Sequence, residues 1–409
     1  MSILRPFRAL RPTPEHVARV AAVPYDVVDR SEAAALAEGQ PMSFLHVSRA
    51  EIDLPESVDP YDPAVYRKAA ENLARLRDEG ILLLDGQPAL YIYRLQMGDH
   101  VQTGVAGTFS VDEYDQDRIK KHEKTRKAKE DDRTRHILAT RAQTGPVFLT
   151  YRGTPKLEAL VETACQGDPL YDFTSPDGIR HTTWRVTTTG PLVQAFTEIP
   201  RMYIADGHHR AASASRTRAE LRSQAAEWSG QEPANFFLAV AFAADQLRIM
   251  SYNRVVADLH GQTPEALLAA IGARVPLQAG ASPSPQTPGH VSMYLSGSWH
   301  DLDLNKLKAD ASSPAQRLDA ALLQDHILAP CLGIGDPRTD ERIDFVGGIR
   351  GTEDLVRRVE EGRAAVAFSM YPTSIQELLD VSDADKLMPP KSTWFEPKLR
   401  SGLFIHELS

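Results

Sequence analysis

Five consecutive residues, Asp206-Gly207-His208-His209-Arg210, bring together a carboxylate, a glycine, two imidazoles and a guanidinium. The glycine follows a short apolar run, 202–205, and lets the backbone turn sharply and approach a ligand. The alanine-rich stretch 211–225 behind it reads as a helix. A helix that starts here offers free N–H groups to an anion. Arg210 is suited to clamping a phosphate with two parallel hydrogen bonds. Asp206 can serve as a base, orient a base or bind Mg²⁺. The plainer alternative is a capped helix start with a solvated arginine. So many polar groups at a strand-to-helix turn favour the site.

Two further segments carry candidate chemistry. His122-Glu123-Lys124-Thr125 lies in a dense charged run with Lys120, Lys121, Arg126, Lys127 and Lys129. His122 and His136 are fourteen residues apart, which excludes the four-residue histidine spacing of a zinc protease. A carboxylate among cations suits general-base or phosphate chemistry. The competing reading is a solvated helix laced with i,i+4 ion pairs. Met388-Pro389-Pro390-Lys391-Ser392-Thr393 offers a lysine point charge and two hydroxyls, without the glycines of a P-loop. Here the alternative is a strap across the core. Pro24-Tyr25-Asp26 and Ser48-Arg49 are weaker candidates for lining a site.

The elements that must position these residues follow from periodicity. Residues 63–79 carry an amphipathic stripe ended by Gly80, and so predict a helix. Strands are expected at 43–47, 81–84, 89–95, 104–111, 146–151 and 236–243. A hairpin is expected from 182–188 with 193–198, and another from 291–295 with 298–302. Ser31 is expected to cap a short helix, and 313–327 to form a longer one. Strands and helices alternate irregularly, which points to α/β architecture with mixed sheets, of α+β character, rather than steady βαβ units.

The chain has 409 residues, 42% of them hydrophobic and 25% charged, with a net charge of −9. That balance fits a folded protein with a large core and argues against a nucleic-acid binder. Two distant cysteines, Cys165 and Cys331, exclude a disulfide framework. No signal-peptide pattern or membrane-length apolar run occurs, so a cytoplasmic, unanchored protein is expected.

Pro24-Tyr25-Asp26-Val27, His122-Glu123-x-Thr125, Ala205-Asp206-Gly207-His208-His209-Arg210 and Met388-Pro389-Pro390-Lys391-Ser392-Thr393 resemble, in this order, the signatures of the family named domain of unknown function 1015. The resemblance runs from Arg5 to about Leu403. The Asp-Gly-His-His-Arg segment is also similar to the phosphate-binding turn of the ParB/sulfiredoxin-like fold, some of whose members are free-serine kinases. The resemblance implies a ParB/sulfiredoxin-like core with family-specific additions. It implies that Gly207, His208, His209 and Arg210 bind nucleotide phosphate, with Lys391, Ser392 and Thr393 as further contacts. Asp206, Glu123 and His122 would be catalytic, and Asp206 and Glu123 would hold Mg²⁺.

The expected division is an N-terminal α/β region at 1–110, a nucleotide-binding core at 111–255 and a C-terminal α+β region at 256–409 whose tail returns to the site. The expected function is a small-molecule kinase using ATP or ADP on the hydroxyl of free L-serine or a similar metabolite. The alternatives are a hydrolase or transferase acting on a phosphorylated metabolite, and a non-enzymatic nucleotide-binding module.

Overall fold

Eight residues, Phe236–Ala243, alternate bulky and small apolar side chains and form a strand buried along nearly its whole length. A strand with no solvated face must lie in the middle of a sheet covered on both sides. It does so in the structure, a computed structural model that describes residues 4–408. Its neighbours are Val147–Tyr151, parallel to it, and His100–Ser110, antiparallel. Beyond Val147–Tyr151 lie Met202–Asp206 and Ile119–Lys120; beyond His100–Ser110 lie Leu90–Met97, Arg180–Val186 and Tyr171–Thr174. Leu4–Arg5 also pairs with His100–Ser110, giving a mixed nine-stranded sheet. Strands from both sides of residue 110 share this sheet, so no boundary falls there.

The chain divides into two units. The first comprises residues 1–121, 125–247 and 397–409; the second comprises 122–124 and 248–396. The architecture is mixed α/β with several sheets.

Within the first unit a smaller sheet has the order Leu82–Leu84, Ala9–Pro12, Ile405–Glu407, Ala142–Gln143. Residues 397–408 are therefore integral to this unit. Leu403, Phe404 and Ile405 are fully buried. Gly402 sits at φ +82°, and a Cβ there would meet the Phe44 ring at 2.6 Å, so only glycine fits. Arg400, also buried, donates to Ser175 Oγ at 2.9 Å and His181 Nε2 at 3.3 Å, and pairs with Asp177.

The second unit holds an antiparallel six-stranded sheet, in the order Leu277–Ala279, Ser298–Asp303, His290–Leu295, Val366–Met370, Tyr252–Val256, Ile343–Gly347. Its core gathers Val256, Leu267, Ile271, Met293, Leu323, Leu332 and Phe368. Arg248–Met250 pairs with Trp394–Glu396, so the segment enters and leaves this unit on adjacent strands.

Several local expectations are corrected. Residues 43–47 are not a strand: Leu45–Ser48 is a helical turn, with Phe44, Leu45 and Val47 all in the core. Residues 193–197 belong to the helix Gly190–Thr197, with Glu198 as its C-cap, rather than to a hairpin. Pro191 begins it, and Leu192, Ala195, Phe196 and Ile199 are buried at helical spacing. Arg30–Ala37 is capped by Asp29, not Ser31, through a capping box with Glu32 that contributes about 1 kcal/mol. The helix expected over 313–327 is broken into Asp319–Leu323, a π turn at Gln324–Leu328 and Ala329–Leu332. Pro330 has no N–H for the His326 carbonyl, and the wider turn accommodates that loss. No helix among the described residues is long and apolar enough to cross a membrane.

Candidate functional site

Met202–Asp206 is buried up to its last residue, and its register against Val147–Tyr151 shifts between Ile204 and Asp206. Such an irregularity re-aims the next side chain, here the Asp206 carboxylate. Gly207 follows at φ +95°, where an L side chain is strained. The helix His208–Gln224 begins immediately. The strand, turn and helix start expected from the sequence are all present.

The Asp206 carboxylate is held on both oxygens. Oδ1 accepts from the Gly207 N–H at 2.8 Å, and Oδ2 accepts from Lys398 Nζ at 3.1 Å. Burial alone would raise its pKa, but the charges of Lys398 and Arg210 outweigh burial and hold it well below the usual carboxylate range. Asp206 is therefore ionised at any physiological pH. Lys398 lies in the returning segment 397–408 and went unread in the sequence. A lone lysine after Glu396-Pro397 has no periodicity or motif to mark it.

His208 is buried, which pushes its pKa down to about 3 against the attraction of Asp206. It is a neutral imidazole. His209 Nε2 accepts from the Arg126 backbone N–H at 3.0 Å, which places its own proton on Nδ1.

Arg210 does not present a free fork. Its Nη1 donates to the Pro146 carbonyl at 2.9 Å and its Nη2 to the Asp26 oxygens at 2.7 and 3.0 Å. The two-bond phosphate clamp expected of Arg210 is thus occupied by protein acceptors. The Nε is buried without a partner. Asp26 belongs to the Pro24-Tyr25-Asp26 motif, so two segments singled out separately meet here. Tyr25 packs between two guanidinium groups, with Arg133 4.1 Å and Arg210 5.5 Å from its ring centre.

The charged run resolves into distinct parts. Lys127–Thr140 is a helix on which Lys127 and Asp131 form an i,i+4 pair at 2.8 Å. Arg216 of the helix His208–Gln224 reaches Glu130 at 3.2 Å and also pairs with Asp131. For these residues the solvated, ion-paired reading holds. Arg133 is different: it is tied to Asp132 at 2.8 Å and turned inward onto Tyr25.

His122, Glu123 and Lys124 are part of the second unit, where the Met388 N–H donates to the His122 carbonyl at 2.8 Å. The 122–125 and 388–393 motifs thus meet through this bond. Ser392 Oγ donates to the Pro389 carbonyl and Thr373 Oγ1 to the Ser392 carbonyl, at 2.8 and 2.9 Å. Lys391 sits at φ +58°, and its Nζ lies 5.5 Å from the Tyr252 ring centre. In this unit Ser392 is engaged in shaping the strap itself. Among the described residues no group of three or more His, Cys, Asp or Glu side chains is placed to hold a metal ion. A Mg²⁺ would rest on the Asp206 carboxylate, completed by phosphate oxygens and water. Each oxygen of Asp206 keeps a lone pair beyond its one contact, so the residue fits that role.

These features define a mixed α/β protein with an anion-ready strand-turn-helix. The chain belongs to the DUF1015 family, described as proteins of unknown function, whose model matches residues 4–321. No curated protein matches it. Among solved structures it is similar to SbnI with C-terminal truncation from Staphylococcus aureus, at 13% identity over 71% of this chain and 82% of that one, with a TM-score of 0.39. A conserved hypothetical protein from Pyrococcus furiosus is 11% identical over 73% of this chain and 94% of that one, with a TM-score of 0.35. A free serine kinase in complex with AMP is 11% identical over 73% and 91% respectively, with a TM-score of 0.34.

Proposed function

We propose that this protein is a nucleotide-dependent phosphotransferase that moves a phosphoryl group from ATP or ADP to the hydroxyl of a small metabolite, free L-serine or one like it. The observation that carries the proposal is the Asp206-Gly207-His208 turn. It places an ionised carboxylate beside the N–H groups of a seventeen-residue helix. Such a terminus attracts phosphate oxygens, and phosphoryl transfer needs chiefly positioning and charge neutralisation. The motif resemblance supplies the reaction class.

The electrostatics divide the roles. A carboxylate held far below its ordinary pKa is a poor proton acceptor. Asp206 therefore serves as a Mg²⁺ ligand and orienting group, not as the general base. On the motif resemblance alone, Glu123 is the proposed base and His122 a second proposed catalytic group. In the reaction a bond forms between the acceptor oxygen and phosphorus. The bond to the nucleotide's bridging oxygen breaks, and the hydroxyl proton passes to the base. His208, a neutral imidazole, and His209 are proposed donors to phosphate. Gly207 permits the close approach. Lys391, Ser392 and Thr393 are further proposed phosphate contacts.

The test is calorimetry with ATP and ADP in the presence of Mg²⁺, followed by ³¹P NMR of mixtures with L-serine. Micromolar nucleotide binding and phosphomonoester formation are expected, with turnover lost in Asp206→Asn and Glu123→Gln. Absence of nucleotide binding would sink the proposal.

A further inference from the structure

A small cavity of about 40 Å³ lies within the first unit, next to Arg210 and Tyr25. Ser48, Arg133, Thr144 and Ser401 share its wall. Two features of the wall are unusual. Ser48 is only 5% exposed, yet its Oγ has no hydrogen-bond partner. The Arg210 Nε is likewise buried and unpartnered, although both Nη groups are bonded. Leaving a buried polar group unsatisfied costs roughly 1–3 kcal/mol, so two beside one cavity call for an acceptor that enters it, either water or the polar group of a ligand.

The wall also sets the hydrogen-bonding character and size of that acceptor. Arg133 and Arg210 are both cationic, and carboxylates already balance them: Asp132 and Glu51 act on Arg133, Asp26 and Asp206 on Arg210. His136 adds no charge, because burial and then Arg133 push its pKa down to about 4. Gln143 is satisfied within the fold by the Leu238 N–H and the Phe236 carbonyl. The open positions, Ser48 Oγ and Arg210 Nε, are hydrogen-bond donors. One water needs roughly 10–15 Å³ of this kind of volume. The 40 Å³ present thus suits a group of about three heavy atoms and is too small for a nucleotide base.

We propose that this cavity seats the carboxylate of a small hydroxy acid, with Ser48 Oγ and Arg210 Nε as its donors. In this role the acid is the phosphoryl acceptor, a step that rests on the function proposed above. The carboxylate site itself stands without it.

The experiment is calorimetry on the full chain with L-serine, D-glycerate and, as a carboxylate-free control, L-serinamide, each with and without ADP. The acids are expected to bind at least tenfold more tightly than the amide. Ser48→Ala should weaken the acids at least fivefold and leave ADP affinity within twofold. Equal binding of acid and amide, no binding of either acid at 10 mM, or unchanged acid binding in Ser48→Ala each overturns the inference. The acid–amide comparison uses the wild-type protein, so a poorly folding variant does not rescue the idea. Acid binding without any ADP binding would defeat the proposed phosphotransfer and leave the carboxylate site intact.

Discussion

Lys398 Nζ donates to Asp206 Oδ2 at 3.1 Å across 192 residues of sequence. The pair ties the segment 397–408 to the turn that carries the candidate site. Removing the lysine leaves the carboxylate with the Gly207 N–H and the charge of Arg210. Lys398→Met should raise the pKa of Asp206 and cost about 1.5–3 kcal/mol, the range for a hydrogen bond to a charged group. Urea denaturation checks the stability. The proposed turnover should fall at least tenfold in the same variant.

Gly207 gives a second expectation. A Cβ added at this position would meet Val147 Cα at 3.4 Å, an ordinary contact. The cost of Gly207→Ala is therefore conformational, not steric, and amounts to about 1–2 kcal/mol for a left-handed L residue. A β-branched Gly207→Val should cost more. If both substitutions leave the melting temperature unchanged, the positive φ is not required.

Acid sensitivity follows from four buried histidines. Burial holds His136 and His406 at about 4, and His181 and His208 at about 3, all from an ordinary 6.5. Between pH 6.5 and 4 the unfolded chain binds more protons than the folded one. Stability therefore falls as pH drops through that window, by up to about 1.4 kcal/mol per unit for each histidine that stays neutral. Asp206 acts in the same direction lower down: its folded pKa is depressed, so its contribution is lost below the ordinary carboxylate range. Urea midpoints measured from pH 7.5 to 4.5 should decline steadily from pH 6.5. A flat profile would contradict the neutral state of these imidazoles.

Deleting residues 397–408 tests their structural role. The deletion removes the strand Ile405–Glu407 from between Ala9–Pro12 and Ala142–Gln143, and takes away three fully buried side chains. Burying one large apolar side chain is worth roughly 1.5–3 kcal/mol, so the loss approaches the total stability of a domain. The shortened chain should show no cooperative unfolding of the first unit. Retention of a native-like transition would refute the claim.

Much of this was legible in the sequence, and the exceptions have physical reasons. Long periodic segments such as Pro63–Asp78 and the buried strand Phe236–Ala243 were clear because packing and local preference agree there. Asp206 and Gly207 were legible as a strand-to-helix turn. Residues 43–47 misled because a core-buried helical turn and a short strand are equally apolar. The two-residue strands Ile119–Lys120 and Ala142–Gln143 are too short to carry a period. Lys398 and Arg133 reach Asp206 and Tyr25 only through tertiary structure, and no spacing in the chain reports that.

The discontinuity of the first unit has a consequence for biogenesis. When residue 247 has left the ribosome, the small sheet still lacks Ile405–Glu407, one of its two inner strands. About 160 more residues must be made before that strand is complete, which at 5–20 residues per second takes roughly 8–32 s. Throughout that interval Ala9–Pro12 has an open edge and the seat of Phe404 is empty. The second unit has all of its strands and helices by residue 396 and can fold earlier. The first unit begun is therefore the last one finished.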